Sequence, residues 1–480
     1  MKIQQTAFVF CCLLSSLGVL AAPLKEHTTT LKQQTGLSLT IYNSDLALVR
    51  DQRNLKLPTG LSRLAIRDVS GKMRPETALL RSVNHPGALK VREQDFNFDL
   101  LTPQKMLDKY VGKEVQIFTI NPATGKKTTR KATILSTNNG VVAKIGHQIE
   151  TNPQGHYIFP SIPQNLRDKP TLVTTLYNSI DTQQTLELSY LTRGLSWKAD
   201  YVVKLGQNDS RMDLAGWVTL TNQSGTTYPQ AHVQLVAGDV NQVQPQYDMM
   251  VMKARAYAAA PAPNQEMTEE SLFEYHLYSL PHATDIADNQ TKQVTLLSAS
   301  GIQAKKQLIL EGSSYYYTQR YDWQGQKLKT SVHLKFKNSK DNQLGMPLPK
   351  GVIRVYKQDN KGQLQFVGED RIEHTANQEN IDLTLGESFD VSAIKTQTDF
   401  SRQNHGHPYK YAAKSSFTIE LKNGKQEPVE VIVREPIPHD WKITKESHPH
   451  KKIAANQVEW VVPIDPEQST VLSYSVLVRY

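Results

Sequence analysis

The sequence is almost without cysteine. Its 480 residues contain two, Cys11 and Cys12, and both lie in the N-terminal stretch "MKIQQTAFVFCCLLSSLGVLAAP". That stretch has a basic start (Lys2), an apolar run from Ala7 to Leu20 and small residues after it, the layout of a secretory signal over residues 1–21. Val19 and Ala21 supply the small pair for cleavage after Ala21, whereas cleavage after Ala22 would leave Pro23 directly behind the cut. The expected mature chain then has no cysteine. Disulfides, thiol nucleophiles, CxxC redox chemistry and cysteine-based zinc sites are excluded for it. Neither cysteine follows a small-residue cleavage site, so a lipid anchor is not expected. An exported chain without disulfides has to be held by its cores.

Long apolar runs are also lacking beyond residue 20, so no transmembrane segment is expected in the mature chain. The mean hydropathy of −0.48 is that of a water-soluble protein. The formal net charge is +9, but no concentrated Lys/Arg block carries it. Nucleic acid is not an expected partner of an exported chain. A basic surface suits anionic envelope polymers or lipid head groups, or is simply a solvated surface. Catalytic motifs are missing too: there is no HExxH, no GxSxG and no EF-hand spacing. "NPATGKKTT" has the end of a phosphate-binding loop, but Ile120 stands where the first glycine would be needed. It reads as a hairpin turn. No catalytic residue and no cofactor is assigned.

What the sequence has in abundance is period-two alternation broken by turn residues. "LSLTIYNSDLALVRDQRNLKL", "TLELSYLTRGLSWKADYVVKL", "GVIRVYKQDNKGQLQFVGED" and the tail from "SFTIELKNGK" to Tyr480 all follow it. Many short strands with Gly, Pro and Asn turns predict an all-β chain of multi-domain, antiparallel, Ig-like β-sandwiches. One helix is expected, capped by Thr102, opened by Pro103 and closed by Gly112, with Met106, Leu107, Tyr110 and Val111 at helical spacing. After it, strands turning at Asn121–Gly125 and Asn138–Gly140 suggest a small inserted α/β-barrel-like segment over 101–160. The expected domains are an N-terminal β-domain at 22–200 carrying that insert, a central sandwich at 201–395 interrupted by a flexible Ala/Pro loop at 245–268, and a C-terminal Ig-like sandwich at 396–480. Within the loop Met249, Met250 and Met252 could form a sticky patch or serve only as connection.

Three stretches attract attention as chemistry. "FVGEDRIEHT" (Phe366–Thr375) packs three carboxylates, an arginine and a histidine into ten positions. Read as a strand, it puts Asp370, Ile372 and His374 on one face and Glu369, Arg371 and Glu373 on the other. Asp370 and His374 would then be about 13 Å apart, too far to share an ion unless a bulge intervenes. "HGHP" and "HPHK" offer His405 with His407, and His448 with His450, four imidazoles that could bind zinc, copper or nickel if they converged. "SSYYYTQRYDWQGQ" clusters aromatics around an arginine, so Tyr315, Tyr317, Arg320 and Trp323 could stack on a sugar or meet an acidic group. An aromatic strand packed on a sheet is the simpler explanation, since Tyr and Trp are favoured there.

In order, "SYLTRGLSWKADYVVKL", "LAGWVTLTNQSGTTYPQAHVQLVAGDVN", "MPLPKGVIRVYKQDNKGQLQFVGEDRIEHT", "LGESFDV", "FTIELKNGKQEPVEVIVRE" and "DWKIT" resemble the bacterial domain of unknown function 4139, the mucoidy-inhibitor-A-like group, over about Thr185 to Tyr480. The resemblance implies β-sandwich architecture and an envelope setting, and no established activity or catalytic residues. The expectation is a periplasmic, non-catalytic protein that binds an envelope polymer or protein or acts as a scaffold. Secretion and outer-membrane association are the alternative locations. The rival expectation is a metal-binding protein or hydrolase built on the two HxH loops.

Overall fold

A computed structural model describes residues 24–163, 166–238, 240–241, 267–273, 275–321, 325–404 and 406–480. The expected signal and nearly all of the Ala/Pro loop lie outside these residues. Among the described residues the regular secondary structure is β-strand except for four short 3-10 turns and one α-helix. No helix there is long and apolar enough to cross a membrane. The all-β, sandwich-type expectation holds.

The chain divides into two compact units, Met1–Leu37 with Arg50–Leu191, and Ser38–Val49 with Thr192–Tyr480. In the first, Glu26–Thr29, Gly60–Arg67, Thr171–Asn178 and Leu89–Asn97 form a four-stranded sheet in that order. The expected helix is present at Pro103–Lys109, and Thr102 Oγ1 accepts the Lys105 amide at its N-terminus. The strands after it form a five-stranded sheet, ordered Gln148–Thr151, Val142–Ile145, Lys127–Ser136, Glu114–Ile120, His156–Ile158. The insert is therefore an open sheet, not the barrel-like segment expected, because its two outer strands do not pair with each other. The helix supplies part of its core instead: Met106, Leu107 and Tyr110 pack with Val115, Ile117, Ala132, Ile134 and Ala143. "NPATGKKTT" is the hairpin turn expected, closed by the Gly125 amide on the Asn121 carbonyl.

The second unit is built around two unusually long strands. Gln290–Glu311 bonds Arg211–Asn222 with its first half and Gln326–Lys337 with its second. Asn380–Asn404 bonds Gln326–Lys337 and then Tyr411–Asn423. The latter strand runs straight through residue 395, where separate central and C-terminal domains were expected to divide. At the C-terminal end, Tyr411–Asn423 and Ser469–Arg479 face Val429–Pro436 and Gln457–Ile464 across a core that includes Phe417, Tyr474, Val431, Val433 and Trp460. Alternation sets this core: Leu472, Tyr474, Val476 and Val478 are buried, with less buried residues between them.

"FVGEDRIEHT" is the second arm of a hairpin, Gly351–Gln358 with Leu364–Ile372, turned by Asp359–Gly362 as the sequence suggests. A bulge at Gly368 bends it. Gly368 has φ of +153°, and a Cβ there would lie 2.3 Å from the Leu385 carbonyl, so only glycine fits.

Candidate functional site

The sequence-derived candidates disperse. Asp370 spends its carboxylate on backbone, accepting the Arg371 and Thr384 amides at 2.8 and 2.7 Å. His374 is exposed, and its Nδ1 accepts the Lys350 amide at 3.3 Å. Glu369 pairs with Arg354. The stretch is structural. His405 lies outside the described residues, and His407 is exposed in a turn before a cis peptide bond to Pro408. His448 Nδ1 bonds Ser447 Oγ at 2.9 Å, and His450 Nδ1 bonds Glu446 at 2.7 Å. Among the described residues no three His, Asp or Glu side chains are placed to hold a metal ion. Of the aromatic candidates, Trp323 lies outside the described residues, Arg320 is exposed and Tyr315 half exposed. Tyr317 is wholly buried, which removes its ring from any ligand.

Tyr317 instead belongs to a sealed charge cluster. Its hydroxyl donates to Glu435 Oε2 at 2.8 Å and lies 3.0 Å from the Tyr474 hydroxyl, while Lys395 Nζ donates to Glu435 Oε1 at 2.6 Å. Lys395 is 0% and Glu435 1% exposed. The ammonium also sits 4.0 Å from the Tyr316 ring centre and 4.7 Å from that of Phe417, so aromatic faces replace part of its hydration. Burial lowers the Lys395 pKa against the opposing pull of Glu435, and burial beside the same carboxylate raises those of Tyr317 and Tyr474. The pair has a sequence signature that went unread: Lys395 shares a strand face with buried Val391 and Ala393, and Glu435 with buried Val431 and Val433.

A second lysine–carboxylate cluster is open. Asp209, in the turn before Arg211–Asn222, takes hydrogen bonds from Lys306 and Lys357. Burial works to raise its pKa, but the two lysine hydrogen bonds outweigh this and hold it below the usual carboxylate range. These groups form part of the wall of a cleft of about 820 Å³. The Gln207–Ser210 turn and the Lys425–Glu430 segment enclose it, and the middle of Gln290–Glu311 lies between them. Lys425, whose ammonium is 3.8 Å from Glu427, stands on one wall. Gln307 also lines the cleft, and its buried Oε1 accepts no hydrogen bond. A buried acceptor left empty costs about 1–3 kcal/mol. A second cavity of about 300 Å³ shares Asp209, Lys306, Leu308, Lys357 and Lys425 as lining. Sequence reading missed this site because its members come from four separate segments.

One further constellation is a hydrogen-bond string on a strand face. Ser331 Oγ lies 2.9 Å from His333 Nε2, and His333 Nδ1 lies 2.8 Å from Asp382 Oδ1. Ser331 Oγ is also 3.0 Å from the Ile309 carbonyl. Its single proton can serve the imidazole or the carbonyl, not both. With a neutral imidazole the string has the order of a nucleophile, base and orienting acid. With an imidazolium, every member is satisfied as a structural chain.

Residues 186–480 match the model of a protein family described as Domain of unknown function (DUF4139). The chain belongs to this family. No curated protein matches it. The sealed pair, the lysine cleft and the serine–histidine–aspartate string all lie within the family region.

Proposed function

We propose that this protein is an exported, non-catalytic binding protein of the bacterial envelope, and that its ligand or partner enters the cleft of Lys306, Lys357 and Lys425. The cleft carries this reading: it brings ammonium donors to one large concave site. The N-terminal signal pattern and the basic charge favour the periplasm and an anionic envelope polymer or protein. The test compares wild type with a Lys357→Glu/Lys425→Glu double variant for recovery of envelope components at physiological salt. Charge reversal is expected to cut recovery at least about tenfold, the equivalent of one lost charge-assisted contact. If wild type recovers nothing, or the variant recovers as much, the reading is wrong.

A hydrolase remains a second reading, moved from the HxH loops to Ser331, His333 and Asp382. The two short hydrogen bonds of that string favour it. A fluorophosphonate probe should label Ser331, and labelling should vanish in Ser331→Ala and fall in His333→Gln. A wild-type protein that stays unlabelled at neutral and mildly alkaline pH disposes of it.

A further inference from the structure

The cleft floor contains a break in a β-ladder. The long strand Gln290–Glu311 pairs with Arg211–Asn222 as far as Gln303. On the same edge it pairs with Val429–Pro436 only from Leu308 onward. Its other edge is paired without interruption from Ala304 to Ile309 against Gln326–Lys337. Between the two neighbours, Lys305–Gln307 has no strand beside it among the described residues.

Parity identifies which groups are left. The Ala304 amide donates to the Ser210 carbonyl at 3.0 Å, and the Gly312 amide to the Arg434 carbonyl at 2.8 Å, so even-numbered residues point their backbone toward this edge. Lys306 is the even residue inside the gap. Its amide and carbonyl face the cleft, where neither neighbouring strand reaches. Such an edge window is a template for an added strand, limited to about three residues, or roughly 10 Å. The surroundings select the occupant. Four lysines line the cleft (Lys305, Lys306, Lys357, Lys425) against three carboxylates (Asp209, Glu427, Glu430), which favours acidic side chains.

We infer that the partner taken by this cleft is an extended acidic polypeptide segment, docked as a short added strand on the backbone of Lys306. This rests on the binding reading above and names the partner class for the same site. It belongs to a general mode in which main-chain hydrogen bonds give affinity and side-chain pockets give selectivity.

Single-residue hydrogen exchange on the full chain tests it in two steps. In the free protein the Lys306 amide should exchange at least about a hundredfold faster than those of Lys305 and Gln307, which bond Gln326–Lys337 or face it. A protected Lys306 amide in the free protein overturns the inference. The probe is then a pool of N-acetylated pentapeptides with glutamate alternating with mixed Val, Thr and Ile. The pool should slow Lys306 exchange at least about tenfold, the same pool with N-methylated backbone should not, and Lys425→Glu should weaken the effect. If an oligouronate binds in the cleft while the acidic pool leaves Lys306 unprotected, strand addition is wrong and the binding reading stands. If neither binds and envelope fractions yield nothing, both fall.

Discussion

Two lysine–carboxylate clusters in the second unit use the same chemistry to opposite ends. Lys395 and Glu435 are sealed, held at 2.6 Å in an aromatic shell with every carboxylate oxygen engaged. Lys306, Lys357 and Asp209 sit on a cleft wall, each lysine about a third exposed. In the sealed pair, desolvation opposes the Coulombic attraction, so its net contribution to stability is small although breaking it leaves a buried charge uncompensated. In the open cluster, water screens the attraction and leaves the lysines available to exchange one carboxylate for another. Burial, not residue type, separates an internal lock from an open, solvated cluster.

The comparison can be broken by mutation, and the largest effect belongs inside. Lys395→Met should cost about 3–5 kcal/mol by leaving Glu435 charged and buried, whereas Lys395→Met with Glu435→Leu should recover most of that loss in urea denaturation. A single variant as stable as wild type would mean the pair is not sealed. Gly312→Ala comes next, since its Cβ would lie 2.1 Å from Glu435 Oε2; overpacking of this kind costs about 1–3 kcal/mol. Tyr317→Phe removes one donor from the same oxygen and should cost about 1–3 kcal/mol, read as a lower denaturant midpoint. Asp209→Asn should be mildest, about 1 kcal/mol or less, because solvent screens its lysines.

Acid separates the clusters as well. The Asp209 pKa is lowered in the folded protein. Its contribution is therefore full above the unfolded carboxyl value of about 3.9 and is lost as pH falls through the lower native value. Wild type and Asp209→Asn should differ in stability above about pH 4 and converge below it. A difference that persists to lower pH would mean the effect is not electrostatic.

Much of the fold was legible because alternation is local. The Thr102 cap, the Asp359–Gly362 turn and the buried face of Leu472, Tyr474, Val476 and Val478 follow from neighbouring residues alone. The open cleft was not legible, since Asp209, Lys306, Lys357 and Lys425 meet only through long-range pairing. "FVGEDRIEHT" was legible too: for all its charge density, alternation splits its charges between two faces, and in the structure it is the second arm of a hairpin with Asp370 on backbone amides. Lys395 and Glu435 stood between these cases. Their charges interrupt apolar strand faces, a conflict visible in sequence that only a partner on another strand resolves.

The parallel pairing of His232–Val236 with residues 38–42 has a consequence in time. Residues 38–49 belong to the second unit, yet all of residues 50–191 intervene before that unit resumes. As the chain emerges N-terminus first, the first unit can close once residue 191 is available. Leu39 and Ile41, fully buried in the finished protein, lie on a strand that has Ala47–Lys56 on one edge but meets its partner on the other only nearly two hundred positions later. Contacts of such long range form slowly and leave apolar strands uncovered meanwhile. The second unit therefore cannot complete this sheet until residue 232 has arrived, well after the first unit has all its residues.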